Sequence, residues 1–128
     1  MKLLLDTHAV LWWLDDHPRL SAAAREAIAD PANECWLSAI SVFEIETKHR
    51  LGKLSLPAAL THGWADTVRL ENWSLLPVSV PHATWAGKHP SAHGDPFDRI
   101  LAAQAELDGL TLVTVDPIFA DFATPTLW

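Results

Sequence analysis

A helix with an acidic first turn is predicted by the stretch His93-Gly94-Asp95-Pro96-Phe97-Asp98-Arg99-Ile100-Leu101-Ala102-Ala103-Gln104. Asp95 is a favourable N-cap residue, Pro96 suits the first helical position, and Asp98 then stands at the third position. The apolar residues that follow recur at helical spacing, so one face of this helix is expected to be buried against a core. Asp98 lies one residue from that apolar stripe, at the edge of the buried face.

The two aspartates of this turn have two interpretations. In the structural one, Asp95 and Asp98 cap the helix, because carboxylates are stabilised by its free N–H groups and its dipole, and Arg99 pairs with a nearby acid such as Asp95. In the functional one, Asp98 forms one wall of an acidic metal site. The functional interpretation requires further carboxylates that the fold brings to the same place.

Length and composition predict a single domain spanning residues 1–128. Hydrophobic residues make up 49% of the chain and charged residues 20%, which excludes a disordered protein. The apolar run that ends at Leu5 meets Asp6 too soon for a signal peptide, and no run approaches membrane-spanning length. Cys35 is the only cysteine, which excludes a disulfide framework and a cysteine-built zinc site. We therefore expect a cytoplasmic protein without a membrane segment.

The net charge of −7 disfavours indiscriminate binding of nucleic acids, which normally requires a basic surface. Basic residues nevertheless cluster at Lys48, His49, Arg50 and Lys53, and bound metal ions would neutralise several of the acids. Lys48 and Arg50 are candidates for contacts with a phosphate backbone, since such contacts supply most sequence-independent affinity. A nucleic-acid partner thus remains open.

Strand and helix signals alternate along the chain. Apolar runs predict strands at residues 2–5, 35–38, 73–78 and 110–114, with a short fifth strand at 125–128. Cap residues, prolines and glycines bound the predicted helices, which cover residues 8–14, 22–29, 41–51, 58–70, 81–87 and 96–107. Strands separated by helices predict an α/β fold with parallel pairing and helices on both faces of the sheet.

Four acidic residues fall at one edge of a sheet built in this way. Asp6 ends the first strand, Asp116 follows the fourth, and Glu44 and Asp98 lie in the first turns of their helices. Ligands of open parallel sheets bind at the carboxyl ends of the strands. Converging carboxylates repel one another unless a divalent cation is bound, and hard oxygen ligands suit Mg²⁺ or Mn²⁺. These four residues are therefore the predicted catalytic and metal-binding set.

Three of these acids also have structural interpretations. Asp6 is able to cap the next helix, Glu44 to pair with Lys48 four residues later, and Asp116 to form a turn before Pro117. The histidines form no metal-ligand motif. His8 and His93 lie close to site acids, and the other five are expected at the surface.

Four segments together resemble the PIN-domain ribonucleases, and most closely the VapC-type toxins of bacterial toxin–antitoxin pairs. The resemblance covers nearly the whole chain, and the order and spacing of its segments make it specific. The segments are Leu4-Leu5-Asp6-Thr7-His8-Ala9, Ser38-Ala39-Ile40-Ser41-Val42-Phe43-Glu44-Ile45, Asp95-Pro96-Phe97-Asp98-Arg99-Ile100-Leu101-Ala102-Ala103-Gln104 and Leu112-Val113-Thr114-Val115-Asp116.

The resemblance implies a three-layer α/β/α fold around a mostly parallel sheet of four to five strands, and a Mg²⁺- or Mn²⁺-dependent endoribonuclease. Asp6, Glu44 and Asp98 match the family's three acids, and Asp116 matches a more variable fourth. Thr7 and Thr114 match the small hydroxyl residues beside them. The resemblance also implies an RNA substrate, a homodimer and inhibition by a cognate antitoxin protein. Gly94 stands where close relatives often carry a basic residue, which affects substrate contacts more than catalysis.

Two other functions are compatible with parts of this pattern. A receiver-like signalling domain also gathers acids, a threonine and a lysine around Mg²⁺ at strand ends, although its acids are arranged differently along the chain. A catalytically silent PIN-like module would keep the fold and act through protein contacts alone. The acids at all four positions are intact, which argues against such a silent module.

Overall fold

One sheet of five parallel strands organises the chain in the computed structural model, which describes residues 1–128. Its strands follow the order β3-β2-β1-β4-β5, with β1 at Lys2–Leu5, β2 at Glu34–Ser38, β3 at Ser74–Leu76, β4 at Thr111–Val113 and β5 at Thr126–Leu127. All three leucines of β1 are completely buried, as expected for the central strand of a sheet covered on both faces.

Six helices cover this sheet: α1 at Thr7–Leu14, α2 at Ala22–Ala29, α3 at Ala39–Arg50, α4 at Trp64–Glu71, α5 at Val80–Lys88 and α6 at Pro96–Asp108. The core lies on both faces, because alternate residues of β1 point in opposite directions. Leu3 and Leu5 pack in one apolar cluster, whereas Leu4 packs in a second one with Leu101 of α6. The predicted α/β class, with helices on both faces, is confirmed. None of the helices combines the length and apolar character that a membrane crossing requires.

Helix α6 begins and ends as its sequence predicts, within one residue. The Oδ1 atom of Asp95 accepts hydrogen bonds from the backbone N–H groups of Phe97 (2.8 Å) and Asp98 (3.3 Å). Gly109 closes the helix with a φ of +67°, a left-handed conformation that glycine adopts at little cost. This cap fixes Asp98 in the first turn of α6, directly above the sheet edge.

The single helix predicted for residues 58–70 is wrong. A short 3₁₀ turn at Ala58–Leu60 is followed by a break, and α4 begins only at Trp64. The break occurs at Gly63, whose φ of +88° is incompatible with a continuous helix. The hydroxyl of Thr67 donates to the carbonyl of Ala59 (2.8 Å) and so fastens the turn onto α4.

One of the histidines expected at the surface is buried. His82 is only 4% exposed, because its Nδ1 accepts the backbone N–H of Ser79 and its Nε2 lies 3.0 Å from Oδ2 of Asp108. These bonds join the start of α5 to the end of α6. The surface position was predicted wrongly because the prediction assumed that the His82 ring has no hydrogen-bond partner within the protein, whereas both of its ring nitrogens have one.

Candidate active site

The four predicted carboxylates line one cleft at the carboxyl edge of the sheet. The cleft has a volume of about 110 Å³. Its walls are formed by Asp6, Thr7, His8, Glu44, Lys48, Asp95, Asp98, Leu101, Asp116 and Phe119. The fold therefore brings together acids that lie far apart in the sequence.

Asp6 is buried at the junction of β1 and α1. It is 6% exposed, and its Oδ1 accepts the backbone N–H of Ala9 (2.7 Å), so it is the N-cap of α1 as well as a wall of the cleft. Burial raises the pKa of this carboxyl to about 6, although hydrogen bonds from Thr114 and Ala9 act in the opposite direction. The structural and functional interpretations of Asp6 are thus both compatible with its geometry.

Glu44 has a hydrogen-bond partner at each carboxylate oxygen. The hydroxyl of Thr7 donates to Oε1 (2.6 Å) and the ammonium of Lys48 donates to Oε2 (2.6 Å). Glu44 is 7% exposed, whereas Lys48 extends toward solvent. The helical pair with Lys48 therefore forms at the cleft, and its ammonium contacts one of the four acids directly.

Asp98 is held from outside the cleft by His93. The Nε2 atom of His93 lies 2.9 Å from Oδ2 of Asp98, and both side chains are largely buried. Burial raises the pKa of the Asp98 carboxyl; the bond with His93 opposes this shift, whereas the charges of Asp95 and Asp116 add to it. The sequence signal for this pair is a histidine five residues before the aspartate, which no regular helical spacing would have identified.

Thr114 connects the acids of β1 and β4. Its Oγ1 accepts the backbone N–H of Asp116 (3.1 Å), and its side chain lies close enough to Asp6 to lower the pKa of that carboxyl. The carboxylate of Asp116 in turn accepts the N–H of Ile118 (3.0 Å) at the start of a 3₁₀ turn, Pro117–Phe122. Thr114 lies beside the cleft rather than in its wall, and fixes the two acids relative to each other.

Arg50 and Arg99 do not lie where their sequence interpretations place them. Arg50, the last residue of α3, is exposed and does not line the cleft. The pairing of Arg99 with a nearby acid is wrong, since its guanidinium donates only to backbone carbonyls. Glu46, two residues after Glu44 on α3, accepts the indole N–H of Trp64 (2.9 Å) and does not line the cleft.

The donor set of the cleft fits a hard divalent cation. Every acidic group that lines it offers oxygen ligands, and burial raises the pKa of both Asp6 and Asp98, because an ionised carboxyl is costly there without a cation. No three histidine, cysteine, aspartate or glutamate side chains form a ready-made metal cage. Mg²⁺ does not need one, because it usually keeps several waters and binds through one or two carboxylates.

The strand order distinguishes this chain from receiver domains. Flavodoxin-like sheets, which include the receivers, have the order 2-1-3-4-5. Here β1 lies between β2 and β4 in the order 3-2-1-4-5. The receiver-like hypothesis is therefore wrong.

Comparison with known proteins gives the family. The profile described as "PIN domain" matches residues 3–125. Ribonuclease VapC22 of Mycobacterium tuberculosis is 34% identical over 115 residues, which cover 89% of this chain and 86% of that protein. Ribonuclease VapC16 of the same organism is 39% identical over 88 residues, which cover 66% of this chain and 60% of that protein.

Solved structures have the same fold. A chain in the crystal structure of VapBC2 from Rickettsia felis, bound to a promoter DNA fragment, has a TM-score of 0.70 at 16% identity, with 99% of this chain and 98% of that chain covered. The VapC20 toxin of Mycobacterium tuberculosis has a TM-score of 0.65 at 15% identity, with 95% of each chain covered. The chain belongs to the PIN-domain family.

Proposed function

We propose that this chain is a metal-dependent endoribonuclease and the toxin of a toxin–antitoxin pair. The observation that carries the proposal is the convergence of Asp6, Glu44, Asp98 and Asp116 in one cleft. Two relatives bear the name ribonuclease, and VapC20 is described as a toxin that cleaves the sarcin–ricin loop.

A Mg²⁺ or Mn²⁺ ion held by the acids of the cleft would lower the pKa of a water and would neutralise charge on the scissile phosphate. Asp6 and Asp98 are the first ligands to consider, because burial makes their negative charge costly without a cation. Thr7 fixes the carboxylate of Glu44 by a hydrogen bond, and Thr114 lies beside Asp6 and lowers the pKa of its carboxyl. Lys48 offers an ammonium group for a substrate phosphate at the mouth of the cleft.

The decisive experiment is cleavage of a mixed RNA pool by purified, antitoxin-free protein in Mg²⁺ or Mn²⁺ and then in EDTA. Asp6→Asn, purified identically, exposes any contaminating ribonuclease. We expect cleavage that EDTA and the substitution both abolish. No cleavage, or equal cleavage by the variant, would contradict the nuclease and leave the catalytically silent module as the function.

Exposed apolar surface supports the proposed protein partners, a cognate antitoxin and a second copy of the chain. An apolar groove of about 510 Å³ lies beside the edge strand β3. It is lined by Ala39, Val42, Trp64, Leu75, Leu76 and Pro77, and Leu75 is 56% exposed. Apolar surface of this kind is typical of interaction sites. These partners, and a cytoplasmic location, complete the proposal.

Lys48→Met is expected to have opposite effects on metal and RNA. In the metal-free chain the Lys48 ammonium neutralises Glu44, so its removal should tighten Mn²⁺ binding by up to roughly fivefold, since partly exposed ion pairs contribute at most about 1 kcal/mol. RNA binding in EDTA should weaken, and the slope of log K against log [salt] should become shallower by about 1, which corresponds to the loss of one phosphate contact. Calorimetry and RNA titrations measure the two effects. Lys53→Met is the control, and effects of the same sign on both ligands would contradict the assignment.

A further inference from the structure

Arg99 binds four carbonyl groups and no carboxylate. Its Nε donates to the carbonyl of Ala86 (2.8 Å) and its Nη2 to that of His89 (2.6 Å). Its Nη1 donates to the carbonyls of both Ser91 (2.9 Å) and His93 (2.6 Å). Although Arg99 follows Asp98 directly, its guanidinium therefore contacts the end of α5 and the segment between α5 and α6 rather than the cleft.

This connecting segment, residues 89–95, has no helix or strand of its own. No backbone-to-backbone hydrogen bond involves residues 90–94. Within the segment, the N–H of Ser91 donates to the ring of His89, and the N–H of His93 donates to the hydroxyl of Ser91. Arg99 is thus the residue that ties the carbonyls of this segment to α6.

The segment ends by delivering His93 to Asp98. The ring of His93 is bonded to Oδ2 of Asp98, while its own carbonyl is bonded to Arg99. Mutation of a residue that is hydrogen-bonded to a metal-binding carboxylate typically lowers metal affinity by about 10–100-fold. The position of Asp98 in the cleft therefore depends on where the connecting segment lies.

We propose that Arg99 is a positioning residue, which holds the connecting segment so that His93 orients the carboxylate of Asp98. Only a guanidinium has the planar fork of five N–H donors that serves four carbonyls at once. The ammonium of a lysine has three donors at a single point and is unable to span them. The inference rests on the proposed function only in taking Asp98 as a metal ligand.

The first test needs neither metal nor RNA. An Nε2–H of His93 that is hydrogen-bonded to Asp98 gives a ring-proton signal protected from exchange in a ¹⁵N-resolved NMR spectrum. We expect this signal in the wild type and in the control Arg69→Lys, which alters an exposed arginine. It should be absent from His93→Ala, which assigns it, and from Arg99→Lys. Survival of the signal in Arg99→Lys would overturn the proposal.

The second test is a double-mutant cycle on Mn²⁺ affinity, measured by calorimetry. Arg99→Lys and His93→Ala should each weaken binding by roughly 10–100-fold, and the double variant should be no weaker than the worse single one, because both act through one contact. Losses that multiply would overturn the proposal, and so would an Arg99→Lys chain that no longer folds. If the variants show these Mn²⁺ affinities but the wild type does not cleave RNA, the proposed nuclease activity is contradicted while the positioning role of Arg99 stands.

Discussion

Asp98→Asn is expected to lower metal-dependent RNA cleavage by more than about 10²-fold without unfolding the chain. Mutation of a residue that is hydrogen-bonded to a metal ligand typically lowers activity by about 10–100-fold. The loss at Asp98 should be larger, because Asp98 is itself a proposed ligand. Asn has nearly the same shape and keeps an oxygen to accept the bond from His93. Helix α6 should therefore remain in place while the negative charge is lost.

Single-turnover cleavage rates and circular dichroism measure the two halves of this expectation. Asp121→Asn is the matched control, since it removes an exposed aspartate that does not line the cleft. A variant at Asp98 that cleaves RNA as fast as the wild type would exclude this residue from the metal site.

Asp6→Asn is expected to make the metal-free chain more stable at neutral pH, although it removes activity. The pKa of Asp6 is raised from 3.8 to about 6, which corresponds to up to about 3 kcal/mol of destabilisation once the buried carboxyl is ionised. Asn caps helices as well as Asp does, so the bond to Ala9 is retained. The melting temperature in EDTA should rise by roughly 5–10 °C at about pH 8.

The pH dependence gives the sign of this effect. Because its pKa is raised, Asp6 keeps its proton to a higher pH in the folded chain than in the unfolded one. The wild type therefore loses stability as the pH rises from about 4 to about 6, and the loss persists at higher pH. The advantage of the variant should thus be small near pH 4 and complete above about pH 7. Equal melting temperatures at pH 8 would contradict the assigned burial cost.

The sheet and most helices were predictable because their signals are local. Residues 2–5 form an uninterrupted apolar run, and Asp95, Pro96 and Gly109 mark the ends of α6. The break at Gly63 had a signal as well, namely a glycine in the middle of the predicted helix. It was missed because the flanking residues are compatible with one amphipathic pattern.

The cleft was predictable because parallel strands bring their carboxyl ends to one edge. Asp6 and Asp116 follow neighbouring strands, which places them together whatever the intervening helices do. The role of Arg99 was not predictable in this way. Helical spacing offers Asp95 as its partner, but Asp95 caps the helix, and the carbonyls that Arg99 binds belong to a segment whose path follows no periodic rule.

The central position of β1 has a consequence for synthesis on the ribosome. β1 is made long before its partner β4, which begins only at residue 111, and long-range pairing of this kind is slow to form. Once synthesis has reached Pro77, every residue that lines the apolar groove beside β3 has been made. Asp98 and Asp116 of the cleft have not yet been made at that stage. A nascent chain therefore carries every residue of the apolar groove, the proposed partner surface, before it carries every acid of the proposed nuclease site.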